Sequence, residues 1–217
     1  MTELRTEEEQ IAAIKDWWKE NGKSIIIAVV VALGAVYGWK AWQQKQLDDS
    51  EAASMMYQQL LDAAVPAATT GGAEDLATTK HLSAQLKSEF GGTEYAQLGA
   101  LMSAKVAFSA ADYSAVSSEL DWVIASDANK LIKAIAGIRK AQLALEQSEF
   151  DSAIKQLQDI AEPSLVAQVQ ELLGDVYIAK GDRTAARAAY EKAFAAGQST
   201  EGSVLSMKLG DLAVEEG

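Results

Sequence analysis

The sequence predicts an all-α protein in which a single transmembrane helix is followed by an array of repeated helix pairs. Three observations lead to this prediction. An uncharged apolar run fills residues 25–39, helix-favouring residues dominate the remainder, and segments beyond residue 100 recur at regular offsets. Only two prolines occur in 217 residues. No segment shows the sustained alternation of apolar and polar side chains that a half-buried strand requires.

The predicted transmembrane helix covers residues 24–42. Nineteen helical residues extend about 28 Å at roughly 1.5 Å each, which matches the hydrocarbon thickness of a bilayer. Four of the five tryptophans flank the run, as expected for residues at membrane interfaces. We therefore expect the lipid bilayer as a partner, with interface anchors at Trp17, Trp18, Lys23, Trp39, Lys40 and Trp42.

A cleaved signal peptide and a buried core helix are the alternative explanations of the apolar run. A signal peptide opens with basic residues and ends at a small-residue cleavage site, whereas this chain opens with TELRTEEEQ after its methionine and continues past the run with lysine and tryptophan. A core helix would carry a polar stripe, and residues 25–39 contain none. The flanking tryptophans favour the membrane helix.

Gly34 and Gly38 give the span a small-xxx-small pattern. Such a pattern allows a second transmembrane helix, from another copy or from a partner, to approach closely. Chance occurrence in a span that tolerates glycine is the alternative explanation.

The distribution of basic residues predicts the orientation of the chain. Four basic residues precede the apolar run of residues 25–39, and two lie within twenty residues after it: Arg5, Lys15, Lys19, Lys23, and then Lys40 and Lys45. By the positive-inside rule, residues 1–23 form a cytoplasmic tail and residues 43–217 lie in the periplasm of a bacterium. The tail is expected either to be frayed or to form a short amphipathic helix, with Asn21-Gly22 as the corner before the span.

Composition excludes several classes of function. Residues 43–217 carry 14 basic and 25 acidic side chains, a net charge of −11 that repels nucleic acid and anionic lipid. The absence of cysteine excludes disulfides, thiol catalysis and cysteine-ligated metals. One histidine, His81, is present, without a nucleophile motif, P-loop, HExxH or dinucleotide pattern. The sequence thus predicts no enzyme, no catalytic or metal site and no cofactor.

Two internal alignments reveal the repeats. Residues 104–123 match residues 141–160 at an offset of 37, and residues 146–160 match residues 179–193 at an offset of 33. Offsets near 34 are typical of tetratricopeptide helix pairs, so we predict an α-solenoid of such pairs. The last unit departs from the tetratricopeptide pattern at Gln170, where tryptophan is common, and at Gln198. It keeps the pattern at Leu173, Gly174, Tyr177, Ala186, Tyr190 and Ala193.

The first helix beyond the membrane is expected to run directly on from the span, because apolar spacing continues to residue 61 without glycine or proline. A final helix around residues 203–215 is expected to cap the array. Breaks between helices are expected at residues 66–72, 91–92 and 127–129 and at Pro163, Gly181 and Gly197.

Helix A of each repeat is expected to line a concave groove with positions spaced i, i+3, i+7 and i+10. The groove would be apolar at one end and acidic at the other, and would bind an extended or helical segment of a partner. The alternative is that these side chains pack against a neighbouring helix, for which residues 52–61 are a candidate. The positions are Leu98, Leu101, Lys105, Phe108, Ile135, Ile138, Gln142, Leu145, Gln168, Glu171, Asp175 and Ile178.

Several motifs in a fixed order resemble the YfgM family of proteobacterial inner-membrane proteins. They are Asn21-Gly22-Lys23, Gly38-Trp39-Lys40-Ala41-Trp42, Ala53 with Tyr57, Gly181-Asp182-Arg183 and Ala185-Ala186-Arg187. The resemblance implies an ancillary subunit of the Sec translocon, anchored in the inner membrane, with its repeat domain in the periplasm. It also implies a role in passing exported chains to periplasmic chaperones, including a membrane-anchored prolyl isomerase. A homodimerising scaffold without a client groove is the alternative.

Overall fold

The computed structural model describes residues 7–197 and 203–214, and helices are the only regular elements in this part of the chain. The all-α prediction is confirmed. The elements are α1 (Glu7–Thr70), α2 (Ala73–Glu89), α3 (Glu94–Ser109), α4 (Tyr113–Ala125), α5 (Lys130–Glu146), α6 (Phe150–Gln158), one 3₁₀ turn (Pro163–Leu165), α7 (Val166–Lys180), α8 (Arg183–Ala196) and α9 (Val204–Val214).

The chain divides into two compact units, Met1–Asp49 and Ser50–Gly217. The described part of the first unit is the beginning of α1, and the side chains of its apolar run are largely exposed. By length and composition, α1 is the one helix among the described residues that is able to cross a membrane. Arg5, one of the basic residues that predict the orientation, lies outside the described residues.

The predicted corner at Asn21-Gly22 is wrong, because α1 passes through both residues. The amide of Asn21 donates a 3.0 Å hydrogen bond to the Trp17 carbonyl oxygen one turn earlier. Gly22 lies beneath the indole of Trp18, where a Cβ atom would be only 3.2 Å from the ring. Both residues therefore serve helix-internal contacts with the paired tryptophans, and neither forms a turn.

The break expected at residues 66–72 is confined to its last two positions. Pro66 lies inside the final turns of α1, and the chain leaves the helix at Gly71, which has a φ of +67°, and Gly72. The hydroxyl of Thr70 donates to the carbonyl oxygen of Pro66 at 2.9 Å and satisfies an acceptor at the helix end. The other expected breaks are confirmed, but turns at residues 110–112 and 147–149 were not predicted.

The second unit is built from three helix pairs, α3/α4, α5/α6 and α7/α8. The C-terminal part of α1 and helix α2 precede them, and α9 packs on α8 as the predicted cap. The apolar core is a series of clusters, each shared by consecutive helices, as a solenoid requires. Side chains that represent these clusters are Leu60 with Leu86, Leu120 with Ile132, Leu157 with Leu173, and Tyr190 with Leu205.

The three turns within the pairs share one backbone geometry. Ala111, Ser148 and Gly181 adopt positive φ angles of 57°, 60° and 89°. In each turn, this residue's amide donates to the carbonyl oxygen three residues earlier, and the next amide donates to the one five residues earlier, at 2.8–3.0 Å. The turns are separated by 37 and 33 residues, so the structure confirms both alignment offsets.

Gly174 permits the closest approach within the last pair. A Cβ atom added at this position would lie 2.2 Å from the ring of Tyr190, so only glycine fits between α7 and α8 here. The equivalent residues of the second pair are Ala141 and Leu157, both fully buried in one cluster. The smaller leucine side chain leaves space for the alanine methyl group.

Candidate binding surfaces

Helix α3 presents a partly open apolar face. Leu98 is 36% exposed and Phe108 is 41% exposed, whereas Leu101 packs against the cluster formed by α3, α4 and α5. The Phe108 ring rests against Tyr113 of α4, with centroids 5.8 Å apart. Lys105 is exposed between them in sequence. The first-repeat positions therefore lie on the protein surface, with Leu101 at the boundary of the core.

Helix α5 contributes less open surface than the sequence predicted. Ile138 is only 1% exposed and lies in the core with Leu157 and Val169, so its assignment to the groove is wrong. The angle at which α6 and α7 pack on α5 determines this burial, and the spacing of residues along α5 alone does not reveal it. Ile135 and Gln142 remain partly exposed, and Leu145 packs against the same cluster.

The segment at residues 52–61 does not cover this face. Its buried residues Ala53 and Leu60 share a cluster with Ala96 and Val106, on a different side of α3 from Leu98. A Cβ atom at Gly99 would lie 3.4 Å from the Leu60 side chain, so α1 contacts α3 on the side of α3 that carries Gly99. The packing alternative thus holds for Ile138, but with α6 and α7 as the partners.

Leu131 extends the apolar face of α5 and was not predicted. It is 42% exposed and lies one turn before Ile135. The Asn129 amide donates to Glu94 Oε1 at 3.3 Å and ties the beginning of α5 to that of α3. The offset of 37 pairs Leu98 with Ile135, so a search one helical turn before that equivalent position would have found Leu131. We call the surface formed by Leu98, Phe108, Leu131 and Ile135 the apolar wall.

The acidic end of the predicted groove is occupied by α9. Lys208 Nζ donates to Glu171 Oε1 at 2.9 Å and to Asp175 Oδ1 at 2.7 Å. The Tyr190 hydroxyl donates to the same Asp175 oxygen at 2.6 Å, and Lys208 Nζ lies 5.5 Å from the Tyr190 ring centroid. Both predicted carboxylates therefore already have a cationic partner, while Ile178 remains 39% exposed and Gln168 exposed.

These contacts set the protonation of the cluster. Burial lowers the pKa of Lys208, but hydrogen bonds and Coulombic attraction to Asp175 and Glu171 outweigh it, and the net pKa is raised. Burial and the hydrogen bond to Asp175 raise the pKa of Tyr190. Lys208 is therefore a cation and Tyr190 a neutral donor throughout the physiological range.

The sequence pattern predicts the last helix only as a cap, so it does not predict the ion pairs of Lys208. Residues 209–212, LGDL, repeat residues 173–176, LGDV, at an offset of 36. This match identifies α9 as a further helix A and places Lys208 at the position of Leu172. A lysine at a position that is apolar in the preceding repeat is the signal that would have indicated an ion pair.

The glycines and the interface residues of the predicted span are exposed in the first unit. Apart from the nearby backbone of α1 itself, no atom of the described residues lies within 4 Å of the place where a Cβ would stand at Gly34 or Gly38. Trp39 and Trp42 are 64% and 53% exposed, and their ring centroids lie 5.0 Å apart. Trp17, Trp18, Lys23 and Lys40 are exposed as well. This arrangement suits side chains that contact lipid or another span.

Comparisons with known proteins agree with the repeat architecture. A family profile described as a tetratricopeptide repeat-like domain matches residues 15–214. A Haemophilus influenzae protein named ancillary SecYEG translocon subunit is 31% identical over 95% of this chain and 97% of its own. Proteins of the same name from Aggregatibacter actinomycetemcomitans and Escherichia coli are each 28% identical, over 95% and 85% of this chain and 97% and 85% of their own.

No solved structure matches the chain. The family profile covers most of the sequence, and its relatives match along almost their full length. The chain therefore belongs to the tetratricopeptide repeat-like family and, with these relatives, to the YfgM family that its motifs resemble.

Proposed function

We propose that this protein is a non-catalytic adaptor at the Sec translocon of the bacterial inner membrane, where it helps to pass newly exported chains to periplasmic chaperones. Relatives named ancillary SecYEG translocon subunits support the translocon as a partner, since those that match 95% of this chain include both the span and the repeats. The apolar wall on α3 and α5 is the observation that carries the binding role.

The proposed topology has three parts: a cytoplasmic tail at residues 1–23, a span at residues 24–42 and a periplasmic domain at residues 43–217. The basic residues before the span and the exposed tryptophans at both ends of it support this arrangement. The open face at Gly34 and Gly38 is proposed to contact a translocon helix.

The apolar wall favours an extended or helical client segment with apolar side chains. Leu98 and Leu131 lie on helices that the bond between Asn129 and Glu94 holds together, so one segment is able to contact both. The proposed binding surface also includes Lys105, Gln142 and Leu145. The net charge of −11 beyond the span favours clients with basic residues beside the apolar segment. Because Lys208 occupies Glu171 and Asp175, the open binding surface lies on the first two repeats.

The test is site-specific photo-crosslinking in native membranes from Leu98, Phe108 and Ile135. The matched control positions are Ser118, exposed on α4, and Ile138, buried on the same helix as Ile135. We expect adducts to translocon subunits, to a membrane-anchored prolyl isomerase or other chaperones, or to exported chains from the wall positions only. Equal labelling from Ser118, or no adducts from the wall, would contradict the proposal.

Adducts only between copies of this chain would instead support a homodimeric scaffold, which the open faces of Gly34 and Gly38 also permit. Replacing both Gly34 and Gly38 with leucine would distinguish the homodimeric scaffold from the adaptor. The scaffold requires the full-length chain to become monomeric in nanodiscs after these substitutions. The adaptor proposal requires the crosslinks from the wall to chaperones or exported chains to persist.

A further inference from the structure

A cavity of about 330 Å³ opens between α6, α7 and α8, away from the apolar wall. Its volume is at the lower end of the range for small-ligand pockets, roughly 300–1,000 Å³. Leu173 and Tyr177 of α7 form its apolar floor, and Ala185, Ala188 and Ala189 of α8 form the opposite side. Alanine side chains on α8 are too short to close the gap.

The cavity coincides with the departure of the last repeat from the tetratricopeptide pattern. Gln170 lines it at the position where this pattern commonly has tryptophan, while the pattern residues Leu173 and Tyr177 around it are retained. The walls that normally enclose an indole are therefore present, and the chain itself does not supply the indole. The retained residues suit an aromatic group, which prefers tilted contact with a ring such as that of Tyr177.

The rim of the cavity carries polar groups that are free to bind. Gln158 and Gln170 contribute one amide each, and neither has a hydrogen-bond partner among the described residues. Lys192 is the charged residue that lines the cavity, and it forms no ion pair within the described part of the chain. A free ammonium group in an otherwise acidic domain complements an anionic ligand group and also attracts aromatic faces.

We propose that this cavity binds one aromatic side chain of a partner polypeptide, with a carboxylate of the same partner at Lys192. The two amides are placed to accept from and donate to the backbone of that polypeptide. The site lies on α6, α7 and α8, whereas the apolar wall lies on α3 and α5, so it is independent of the proposed adaptor surface. One molecule would then hold two polypeptides at once.

The experiment measures binding of N-acetyl-5-fluorotryptophan and of its neutral amide to the full-length chain in nanodiscs, by ¹⁹F NMR, with empty nanodiscs as the blank. A ligand of this size is expected to bind with a Kd of roughly 1 mM. The carboxylate form should bind about two- to fivefold more tightly than the amide, because an exposed ion pair contributes about this much.

Gln170→Trp is the decisive variant, because it fills the cavity with the residue that the pattern prefers. We expect this variant to bind N-acetyl-5-fluorotryptophan at least tenfold more weakly than the unmodified chain does. Gln168→Trp is the matched control, since it places the same residue on the same helix at an exposed position outside the cavity. Ala188→Leu blocks the opposite wall from an exposed position and should weaken binding similarly. Circular dichroism verifies that each variant is folded.

Lys192→Gln should abolish the preference for the carboxylate and leave binding of the amide unchanged. Binding no stronger than to empty nanodiscs, or retained in both Gln170→Trp and Ala188→Leu, would overturn the proposal. An equal loss in Gln168→Trp would overturn it as well. Equal affinities of the acid and the amide for the unmodified chain would overturn the role of Lys192.

Discussion

The second and third helix pairs reach the same backbone geometry with different side chains. The third pair follows the tetratricopeptide pattern, with Gly181 at the left-handed turn position and Asp182 as the helix cap, whose carboxylate accepts from the Ala185 amide at 3.0 Å. The second pair has Ser148 and Glu149 there, and Glu149 forms no such cap. The difference shows that neighbouring contacts can impose a turn that the local sequence does not favour.

The close approach of α7 and α8 is the largest difference between the pairs that a single substitution can test. Gly174→Ala places a methyl group 2.2 Å from the Tyr190 ring, and we expect unfolding free energy to fall by about 1–3 kcal/mol. This loss should exceed the roughly 1 kcal/mol that alanine adds through helix propensity. Urea denaturation of the full-length chain in detergent, followed by circular dichroism, measures the change.

Gly210→Ala is the matched control, because among the described residues no atom outside the backbone of α9 lies within 4 Å of the added methyl group. It should be neutral or stabilising. The pair Gly174→Ala and Tyr190→Leu converts the third unit to the alanine and leucine of the second. We expect the double variant to be more stable than the sum of the single effects predicts, by about 1 kcal/mol. Strict additivity would show that the two positions do not compensate each other.

Exchanging serine and glycine at the left-handed turn position should change the unfolding free energy by an intermediate amount, with opposite signs in the two pairs. Ser148→Gly should raise the unfolding free energy by about 1 kcal/mol, because a side chain at a φ of 60° is strained. Gly181→Ser should lower it by about 1–2 kcal/mol for the same reason. Thermal unfolding of both variants tests this, and a destabilised Ser148→Gly variant would contradict it.

The smallest expected effect is the pH dependence that the third pair gains through its contact with α9. The pKa values of Tyr190 and Lys208 are raised in the folded state, so the folded chain retains protons that the unfolded chain loses above about pH 10. The stability that these groups contribute is complete below that pH and is lost as pH rises through the folded values. Thermal unfolding between pH 8 and 11 measures this loss.

Lys208→Met should make that pH dependence shallower. The raised pKa of Lys180, which results from its hydrogen bond to Asp151, is present in both proteins and cancels in the comparison. Identical slopes for the two proteins above pH 9 would show that the contacts between α9 and the third pair do not depend on the charge of Lys208.

The sequence predicted the fold well because helix content and repeat offsets are local or periodic properties. The break at Gly181 was predicted, whereas the equivalent turns at Ala111 and Ser148 were missed, because neither residue is the glycine that a left-handed turn position favours. Burial of Ile138 depends on how α6 and α7 pack on α5, which is a tertiary property. The ion pairs of Lys208 join residues more than 30 positions apart and were hidden for the same reason.

Helix α9 also shields one apolar side of the third pair. It covers Tyr190 and Ala193 with Leu205 and Leu212, and the ammonium group of Lys208 pairs with two carboxylates. Successive repeats offer similar faces to each other. An uncovered last pair would therefore expose an apolar face that is able to bind the first repeat of another molecule. Head-to-tail contacts of that kind do not close and lead to filaments. The eleven residues at Val204–Val214 thus cover a surface that would otherwise favour such contacts between copies.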